Sequence, residues 1–379
     1  RYRQIAEETL DYLLRDMWYA CGAFFGTEDA DSEGEEGKFY VWTRREVIDL
    51  LGEDMGEVVC DYYGIGRADS LINGASVLHR AVSLDALAGK FHMSIDEVSS
   101  ILESARLSLF QRREQRVRPA RDEKIITAWN GMAVSALAKA GSVLQVPMYV
   151  EKARAVASFG LTRLQRPDGR LCRSFKGVPS SIPGFLEDYG YFVAGLVDLF
   201  KATLEPFWLD AGLNLMELAV QLFWSDSSRT FYDTEPGDNL LFRPSIPEDE
   251  SYPSAVSIMA QNLFYLQNLL SCRAEEKLEL LLNRHVEDMR RNPWGFAGLL
   301  TVLDLAQRGL REFFVIEPAQ GGAEPEILNL LQTAYLPEGI IYRGNAAPYQ
   351  QGRFHELGMG KTAVEGKTTV YICEGQTCY

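Results

Sequence analysis

The chain has 379 residues, and 53 acidic side chains against 38 Lys and Arg give it a formal charge of −15. A surface this acidic repels phosphate backbones, which argues against nucleic acid as a partner. The longest apolar stretches, such as residues 191–200, meet charged residues well before the length of a membrane span. The sequence therefore predicts a soluble protein without a membrane span, of the cytoplasm or an organelle lumen, and leaves the compartment unknown.

An acidic stretch, "TEDADSEGEEGKFYVWT" at residues 27–43, places six carboxylates before three aromatic residues. Asp29 and Asp31 are two positions apart in a segment predicted to be extended, so they share one face. They are candidates for acid and base chemistry or for holding sugar hydroxyls; calcium is the alternative, although the EF-hand pattern fits poorly. The alternating aromatic residues predict a strand with one exposed face, whose Trp42 is a candidate for substrate contact.

The rest of the chain up to residue 310 alternates two kinds of helix. Segments that are apolar nearly all round, which predicts burial on most sides, lie at residues 125–141, 188–204, 255–270 and 294–309. Segments with a single apolar stripe, typical of surface helices, lie at residues 1–20, 148–165, 208–224 and 276–291. More polar helices, predicted to be peripheral, occupy residues 43–63 and 93–115.

This alternation is typical of stacked αα-hairpins, arranged as a ring with the buried helices inside or as an open α-solenoid. Long loops at residues 166–185 and 225–253 favour the ring, because in a ring they gather over one mouth. A closed six-hairpin ring needs six inner helices, and four are evident in the sequence. The predicted fold is therefore mainly α, an (α/α)6 toroid over residues 1–310 that is incomplete in this chain.

The pattern changes after residue 310. Residues 312–318 and 338–344 read as strands flanking a helix at 324–336, which predicts a small βαβ unit, and residues 368–373 read as a further strand. We expect residues 311–379 to form a small α/β unit packed on the toroid.

The six cysteines contain no CxxC pair, and few histidines accompany them. Reduced thiols are the default interpretation, and the sequence predicts no metal site and no cofactor. Cys373 and Cys378 are the exception, because they are close enough along the chain to form a disulfide across a turn; two free thiols are the alternative.

"GFLEDYGY" at residues 184–191 stands at the start of a buried helix. Glu187 and Asp188 are predicted to point toward the cavity mouth as catalytic carboxylates, and Tyr189 is a candidate for ligand contact. Helix capping is the alternative, because an acidic group near a helix N-terminus satisfies free backbone N–H groups. The two interpretations are compatible, with Asp188 capping while Glu187 faces the cavity.

"RDEKIITAWNG" at residues 121–131 precedes and begins another buried helix. Asp122 is a candidate for capping this helix and for ligand contact. Trp129 and Asn130 interrupt a helix of small apolar residues, and a sugar needs an aromatic face and amide groups for its hydroxyls. The alternative places Trp129 in the core and pairs Asn130 with a neighbouring helix.

"FYDTEPGD" at residues 231–238 supplies a weaker pair of candidates for substrate contact, Tyr232 and Asp233. Glycoside hydrolysis requires two carboxylates, one protonated and one acting as base or nucleophile. The sequence supplies enough carboxylates but does not give their spacing.

Four stretches together resemble the spermatogenesis-associated protein 20 / YyaL family, in the same order and over essentially the whole chain: "EDADSEGEEGKFYVWT" (28–43), "DEKIITAWNGMAVSALAKAG" (122–141), "GFLEDYGYFVAGLVDLF" (184–200) and "VYICEGQTC" (370–378). The resemblance implies a six-hairpin, glycosidase-like toroid preceded in the family by a thioredoxin-like domain. The toroid is shared with N-acylglucosamine 2-epimerases and with several glycoside hydrolases and lyases. It therefore implies a carbohydrate-type cavity with a sugar or glycan as ligand.

The chain departs from the family pattern in two ways. It resembles the toroid from about the third hairpin onward and lacks the thioredoxin-like domain, so we expect another chain or an N-terminal segment to complete the ring. Val256 also stands where the family usually has Asn, so part of the expected site is altered.

Three hypotheses of function follow. The first is a glycosidase-like hydrolase that pairs Asp188 or Glu187 with Asp29 or Asp31. The second is a non-catalytic sugar-binding or structural subunit, a pseudoenzyme derived from the family. The third is a redox or quality-control role with a thioredoxin-like partner. An epimerase is disfavoured because its histidine proton carriers have no counterparts among the four histidines of the chain.

Overall fold

The computed structural model describes residues 2–67, 71–72, 74–237, 240–270, 272–318, 325–343, 360–375 and 377–378. It is mainly helical, as the sequence predicts. Its helices are α1 Tyr2–Tyr12, α2 Arg44–Leu51, α3 Glu53–Tyr63, α4 Leu84–Phe91, α5 Ile95–Arg113, α6 Thr127–Val143, α7 Pro147–Phe159, α8 Leu186–Thr203, α9 Pro206–Phe223, α10 Ala255–Leu266, α11 Ala274–Arg284, α12 Val286–Arg291, α13 Ala297–Arg308 and α14 Pro325–Thr333. Single π-helical turns extend α1 at Leu13–Met17 and α7 at Gly160–Leu164.

The strands are short except near the C-terminus. They are β1 Trp18–Tyr19, β2 Ala23–Phe24, β3 Thr27–Glu28, β4 Asp31–Ser32, β5 Glu35–Glu36, β6 Leu71–Ile72, β7 Ala75–Ser76, β8 Arg121–Asp122, β9 Ile125–Ile126, β10 Ser174–Lys176, β11 Val178–Pro179, β12 Trp224–Ser225, β13 Thr230–Phe231, β14 Arg311–Ile316, β15 Gly339–Arg343, β16 Thr369–Glu374 and β17 Thr377–Cys378.

The chain divides into two compact units. One consists of Arg1–Gly26 with Glu123–Tyr379, and the other of Thr27–Asp122. In the Thr27–Asp122 unit, α2 to α5 surround a separate apolar core that includes Val47 and Val98. The domain boundary predicted at residue 310 stays a prediction.

The four segments predicted to be buried are α6, α8, α10 and α13. They pack side by side in that order, and α7, α9 and α11 follow the first three as their hairpin partners. Burial is most complete in α8, where every residue from Asp188 to Phe200 is buried. An all-round apolar helix needs such a position. The described helices form the α/α arrangement that the sequence predicts, with α6, α8, α10 and α13 as neighbours. The burial predicted for residues 294–309 is wrong, because α13 buries only Leu299, Val302 and Leu305 on one face and Trp294 is exposed.

Two glycines bring α6 and α8 together. A Cβ atom on Gly131 would lie 2.5 Å from the carbonyl carbon of Tyr191, and one on Gly195 would lie 2.6 Å from the carbonyl oxygen of Gly131. Neither distance is compatible with a larger side chain while the helices keep their positions. The close contact fixes the N-terminal end of α8, which carries Glu187 and Asp188, against the first turns of α6.

Three local predictions are wrong. The helix predicted over 276–291 breaks at buried His285, between α11 and α12. The helix predicted over 43–63 breaks at Gly52, whose φ of 80° lies outside the helical region. The strand predicted around residues 39–42 is a turn, because Gly37 has φ 74° and only Trp42 forms a bridge, to Ser76.

The C-terminal βαβ unit is present. β14 and β15 pair in parallel and α14 lies between them in the chain, while β16 pairs antiparallel with the other side of β14. Tyr342 of β15 stacks on Phe314 at 5.0 Å and meets Phe200 of α8 at 6.0 Å, so this sheet packs against an inner helix. A disulfide joins Cys373 to Cys378 across β16 and β17. Across the described ranges, no helix has the length and apolarity needed to cross a bilayer.

Candidate functional site

A cavity of about 360 Å³ opens at the N-terminal end of α8. Its walls are formed by the first residues of α8 and by the long loop between β13 and α10, one of the loops predicted to gather over the mouth. Glu187 and Asp233 both line it, with Tyr252 beside them. This volume is within the range typical of small-molecule sites.

Asp188 ties three elements together beneath this cavity. Its side chain is fully buried. One carboxylate oxygen accepts hydrogen bonds from the backbone N–H of Ala128 and from Arg173, each at 3.0 Å, and the other accepts from the backbone N–H of Phe185 at 2.8 Å. Burial raises the pKa of Asp188 to about 7, although the Arg173 charge opposes the rise. The catalytic role predicted for Asp188 stays a prediction, whereas this geometry favours capping and positioning.

Glu187 lines the cavity, and its predicted catalytic role stays a prediction. About a quarter of its side chain is exposed, and it forms an ion pair with the same Arg173 that binds Asp188. The guanidinium therefore joins two adjacent carboxylates, one buried and one facing the cavity. It also stacks over the ring of Phe185, 5.3 Å from the centroid, which holds it in place.

Asp233 lies across the cavity in a very different environment. One of its oxygens is buried without a hydrogen-bond partner among the described residues. Burial raises the pKa of Asp233 to about 6; the backbone N–H of Ile246 opposes this rise and the charge of Glu187 adds to it. Its backbone is fixed, because its N–H donates to Pro244 at 2.8 Å and its carbonyl accepts from Leu186 at 2.9 Å. The cavity therefore holds a carboxyl group that is readily protonated.

Replacing Asp233 by asparagine should change how stability depends on pH. Because the folded-state pKa of Asp233 is raised, its contribution to stability is complete below the unfolded value near 4 and is lost as the pH rises through about 6. We expect the free energy of unfolding of the parent to fall more steeply than that of Asp233→Asn between pH 4 and 6. Urea unfolding at several pH values measures the difference, and equal slopes would contradict the assigned pKa.

A group of aromatic side chains lies beside the cavity. Trp129 lies close enough to Tyr252 to oppose the rise in the pKa of that phenol, and the Tyr252 ring meets Tyr191 edge-on at 5.9 Å. The Tyr191 hydroxyl donates to the backbone carbonyl of Pro253 at 2.5 Å, which fastens the loop to α8. Burial raises the pKa of Tyr252, and the charge of Glu187 contributes to the rise. Trp129 thus adjoins the site through Tyr252, and Tyr252 lines the cavity together with Phe185.

Other predicted contact residues lie in the protein interior. The Asn130 side chain is buried and pairs with both backbone polar groups of Phe24, accepting at 2.8 Å and donating at 3.1 Å. Tyr189 is fully buried, and its hydroxyl accepts from the backbone N–H of Leu171. Tyr232 lies under the Arg243 guanidinium at 4.5 Å, outside the cavity lining. The geometry gives these three side chains structural partners, and their contact with a ligand stays a prediction.

The remaining predicted residues belong to the Thr27–Asp122 unit. Asp29 and Asp31 are exposed there, and a carboxylate oxygen of Asp29 accepts the backbone N–H of Asp31 at 3.1 Å. Trp42 is buried beneath the guanidinium of Arg116, 4.1 Å from the centroid of its indole ring. Pairing Asp29 or Asp31 with Glu187 or Asp188 stays a prediction.

Asp122 does not cap α6. It lies in β8, opposite Thr27, whereas α6 begins at Thr127 after Ile126. The chain passes through β9 between the two, because Ile125 and Ile126 pair with β10, and this pairing moves the helix start beyond the reach of Asp122.

A second cavity, of about 460 Å³, lies within the Thr27–Asp122 unit. Glu33, Glu35 and Glu36 of the acidic stretch line it, together with Lys38 and Arg116. Lys38 forms ion pairs with Glu35 at 2.9 Å and with Glu33 at 3.5 Å, all of them well exposed. Such exposed pairs are typical of a solvated surface.

Sequence reasoning missed Arg173 and Tyr252. Arg173 was one of four basic residues in the Gly/Pro-rich loop at residues 166–185, and only its proximity to "LEDY" in the fold reveals its role. The available signal in the sequence was a basic residue in the loop that leads to two adjacent acidic residues, Glu187 and Asp188, at the start of a buried helix. Within the described residues, no group of three or more His, Cys, Asp or Glu side chains could hold a metal ion.

Comparison with known proteins is consistent with the sequence motifs. No family model matches the chain. Over its whole length the chain is 30% identical to human spermatogenesis-associated protein 20 and 29% identical to the rat protein, of which it covers 53% and 52%. A Caenorhabditis elegans protein, uncharacterized protein B0495.5, is 23% identical over 96% of the chain. The chain thus spans about half the length of the curated relatives it matches.

The fold described above places the protein in the class of mainly α proteins built from packed αα-hairpins. Within that class, the chain resembles the spermatogenesis-associated protein 20 family along its full length, which confirms the resemblance found in its motifs.

Two solved structures are similar at low sequence identity. An α-mannanase of glycoside hydrolase family 76 from Bacteroides thetaiotaomicron is 12% identical, with a TM-score of 0.42 over 88% of this chain and 82% of that one. A family 105 glycoside hydrolase of C. acetobutylicum is 11% identical, with a TM-score of 0.38 over 75% and 74% of the two chains. At these scores the two likenesses carry no argument about activity.

Proposed function

We propose that the protein hydrolyses a glycosidic bond in the cavity at the N-terminal end of α8. The observation that carries the proposal is a pair of carboxyl groups in contrasting environments on one cavity, Glu187 and Asp233. Hydrolysis of this kind uses one carboxyl that donates a proton and one that acts as base or nucleophile.

The two groups divide these roles by their surroundings. Asp233, with a pKa raised to about 6 by burial, keeps a proton into the mildly acidic range and is assigned as the general acid. Glu187 is assigned as the second carboxylate, because the adjacent Arg173 guanidinium stabilises its negative charge. Tyr252 offers an aromatic face for a sugar ring. Asp188 is assigned as a positioning residue that holds Arg173.

We expect Asp233→Asn and Glu187→Gln each to lower kcat/KM by about 100-fold or more, since removing a general acid or base costs this much. The assay is release of nitrophenol and of reducing sugar from a panel of aryl glycosides and oligosaccharides. In the parent, activity should decline as the pH rises through about 6, because Asp233 loses its proton. In Asp233→Asn, this fall in activity with rising pH should be absent.

Glu250→Gln is the matched control, because Glu250 lines the same cavity on the exposed part of the loop. Its kcat/KM should stay within a few-fold of the parent. Equal losses in all three variants would point to general damage to the loop, and full activity of Glu187→Gln and Asp233→Asn would refute the assignment.

Sugar binding without hydrolysis is the second candidate. It is favoured by the direct ion pair between Glu187 and Arg173, which occupies the carboxylate that a nucleophile needs free. Saturable binding of an oligosaccharide, with no turnover and with loss of binding in Tyr252→Ala, would support this candidate.

We also propose that the ring has further inner helices in the working protein. The described residues supply four, whereas the resemblance implies six. Another chain, or a segment that precedes these hairpins in a longer protein, would then complete the wall of the cavity.

A further inference from the structure

A separate cavity of about 300 Å³ lies at the opposite end of the inner helices. It is enclosed by the last turns of α6 and α8, by α10, by α14 and by the residues leading into β15. Lys201 lines it and follows Glu187 by fourteen positions along α8. At 1.5 Å per residue the two side chains start about 21 Å apart along the helix axis, so this cavity is distinct from the candidate active site.

The charges in this cavity do not cancel. Lys139 forms an ion pair with Asp198 at 2.7 Å, and Asp198 also accepts the hydroxyl of Ser135. The Asp198 carboxylate is therefore already engaged. In the described part of the chain, Lys201 forms no ion pair of its own; its ammonium lies over the ring of Tyr265, 3.4 Å from the centroid. Two lysines and one aspartate leave one positive charge without a carboxylate.

Among the described residues, the neighbouring elements place no carboxylate within ion-pair distance of Lys201. The Tyr265 hydroxyl donates to the backbone carbonyl of Pro337, and the Gln332 amide donates to the backbone carbonyls of Lys201 and Ala202. The lining residues from α14 to β15 are otherwise apolar, apart from the exposed Tyr335. Burial lowers the pKa of Lys201 to about 8; Asp198 opposes this shift and Lys139 adds to it.

We propose that this cavity binds a small organic anion, whose carboxylate pairs with the Lys201 ammonium and whose apolar body packs against Leu331, Leu336 and Ile341. A cation over an aromatic ring is suited to this role, because the ring stabilises the charge without neutralising it. Ligand sites typically combine a mostly apolar lining with a few polar groups that fix orientation. This inference does not depend on the proposed hydrolase activity.

The test uses octanoate as the probe and the full chain in a calorimetric titration at pH 7. We expect saturable binding that Lys201→Met weakens about tenfold or more, as expected for loss of a hydrogen bond to a charged group. Lys201→Arg should retain binding. Lys277→Met is the matched control, because Lys277 also lies over an aromatic ring, 5.1 Å from that of Trp224, but pairs with Asp226 and lies outside the cavity.

A second readout separates a charge contact from apolar adsorption. Octanoate affinity should fall as the pH rises through about 8, because Lys201 loses its proton while the probe stays ionised, and Lys201→Arg should remove this dependence. Octan-1-ol, the neutral analogue, should bind the parent no better than it binds Lys201→Met. Absence of octanoate binding, or equal affinity in the parent and in Lys201→Met, would overturn the proposal.

Discussion

Asp188→Ala is expected to lower the free energy of unfolding by about 3–5 kcal/mol, the usual cost of removing one partner from a buried ion pair. The carboxylate serves three donors from three elements, Ala128 of α6, Arg173 and the backbone at Phe185. Alanine leaves the buried backbone N–H groups of Ala128 and Phe185 without their acceptor and leaves Arg173 paired with Glu187 alone. Urea denaturation followed by circular dichroism measures the change.

Two variants identify the cause of that loss. Asp188→Asn keeps the volume and one acceptor oxygen, so we expect an intermediate loss. Glu187→Gln alters the exposed partner of the same Arg173 and should cost less than about 1 kcal/mol, since partly exposed pairs contribute little. If Asp188→Ala unfolded within 1 kcal/mol of the parent, Asp188 would not be the link between α6 and α8 described above.

Gly131→Ala is the second substitution with a large expected effect. The new Cβ would meet the backbone of α8 at 2.5 to 2.6 Å, where no flexible side chain can yield. The helices must separate, and we expect a loss of about 2–4 kcal/mol, at or above the usual cost of overpacking. Because α8 carries Glu187, the hydrolase activity proposed above should fall together with stability.

Gly212→Ala is the control for this substitution. Gly212 lies inside α9, and a Cβ there would make an ordinary contact of 3.6 Å with Leu196. Alanine is more favourable than glycine in a helix interior, so stability should be unchanged or should rise by up to about 1 kcal/mol. A loss for Gly131→Ala no larger than that for Gly212→Ala would mean that α6 and α8 can separate at little cost.

Much of the fold could be predicted because a buried helix is apolar on all its faces, and this pattern is visible in the local sequence. α8 has no polar face, and "YFVAGLVDLF" alone requires a position inside the protein. The positions at which two predicted helices break are marked less clearly in the sequence. His285 interrupts a continuous amphipathic stripe because its ring is buried beside Thr230, a contact set by tertiary structure. Gly52 was a readable signal for the division between α2 and α3.

The candidate site could be predicted only where its chemistry is local. Glu187 stands next to a helix start, so its position followed from the motif. Asp233 was predicted as a contact residue, but its raised pKa arises from burial in a folded loop and from Glu187, 46 positions away along the chain. The partner of Asn130 was equally hard to predict, since Phe24 lies 106 residues earlier. Pairings across such distances are set by the fold.

The strand pair β3–β8 also has a consequence for how the gene could be edited. Thr27 and Asp122 are directly opposite each other at the two ends of the Thr27–Asp122 unit, so paired backbones there are about 5 Å apart. A segment whose entry and exit coincide behaves as a cassette in the chain. It could be excised and its ends bridged by a few glycines, or transplanted into another host loop, without stretching the polypeptide on either side.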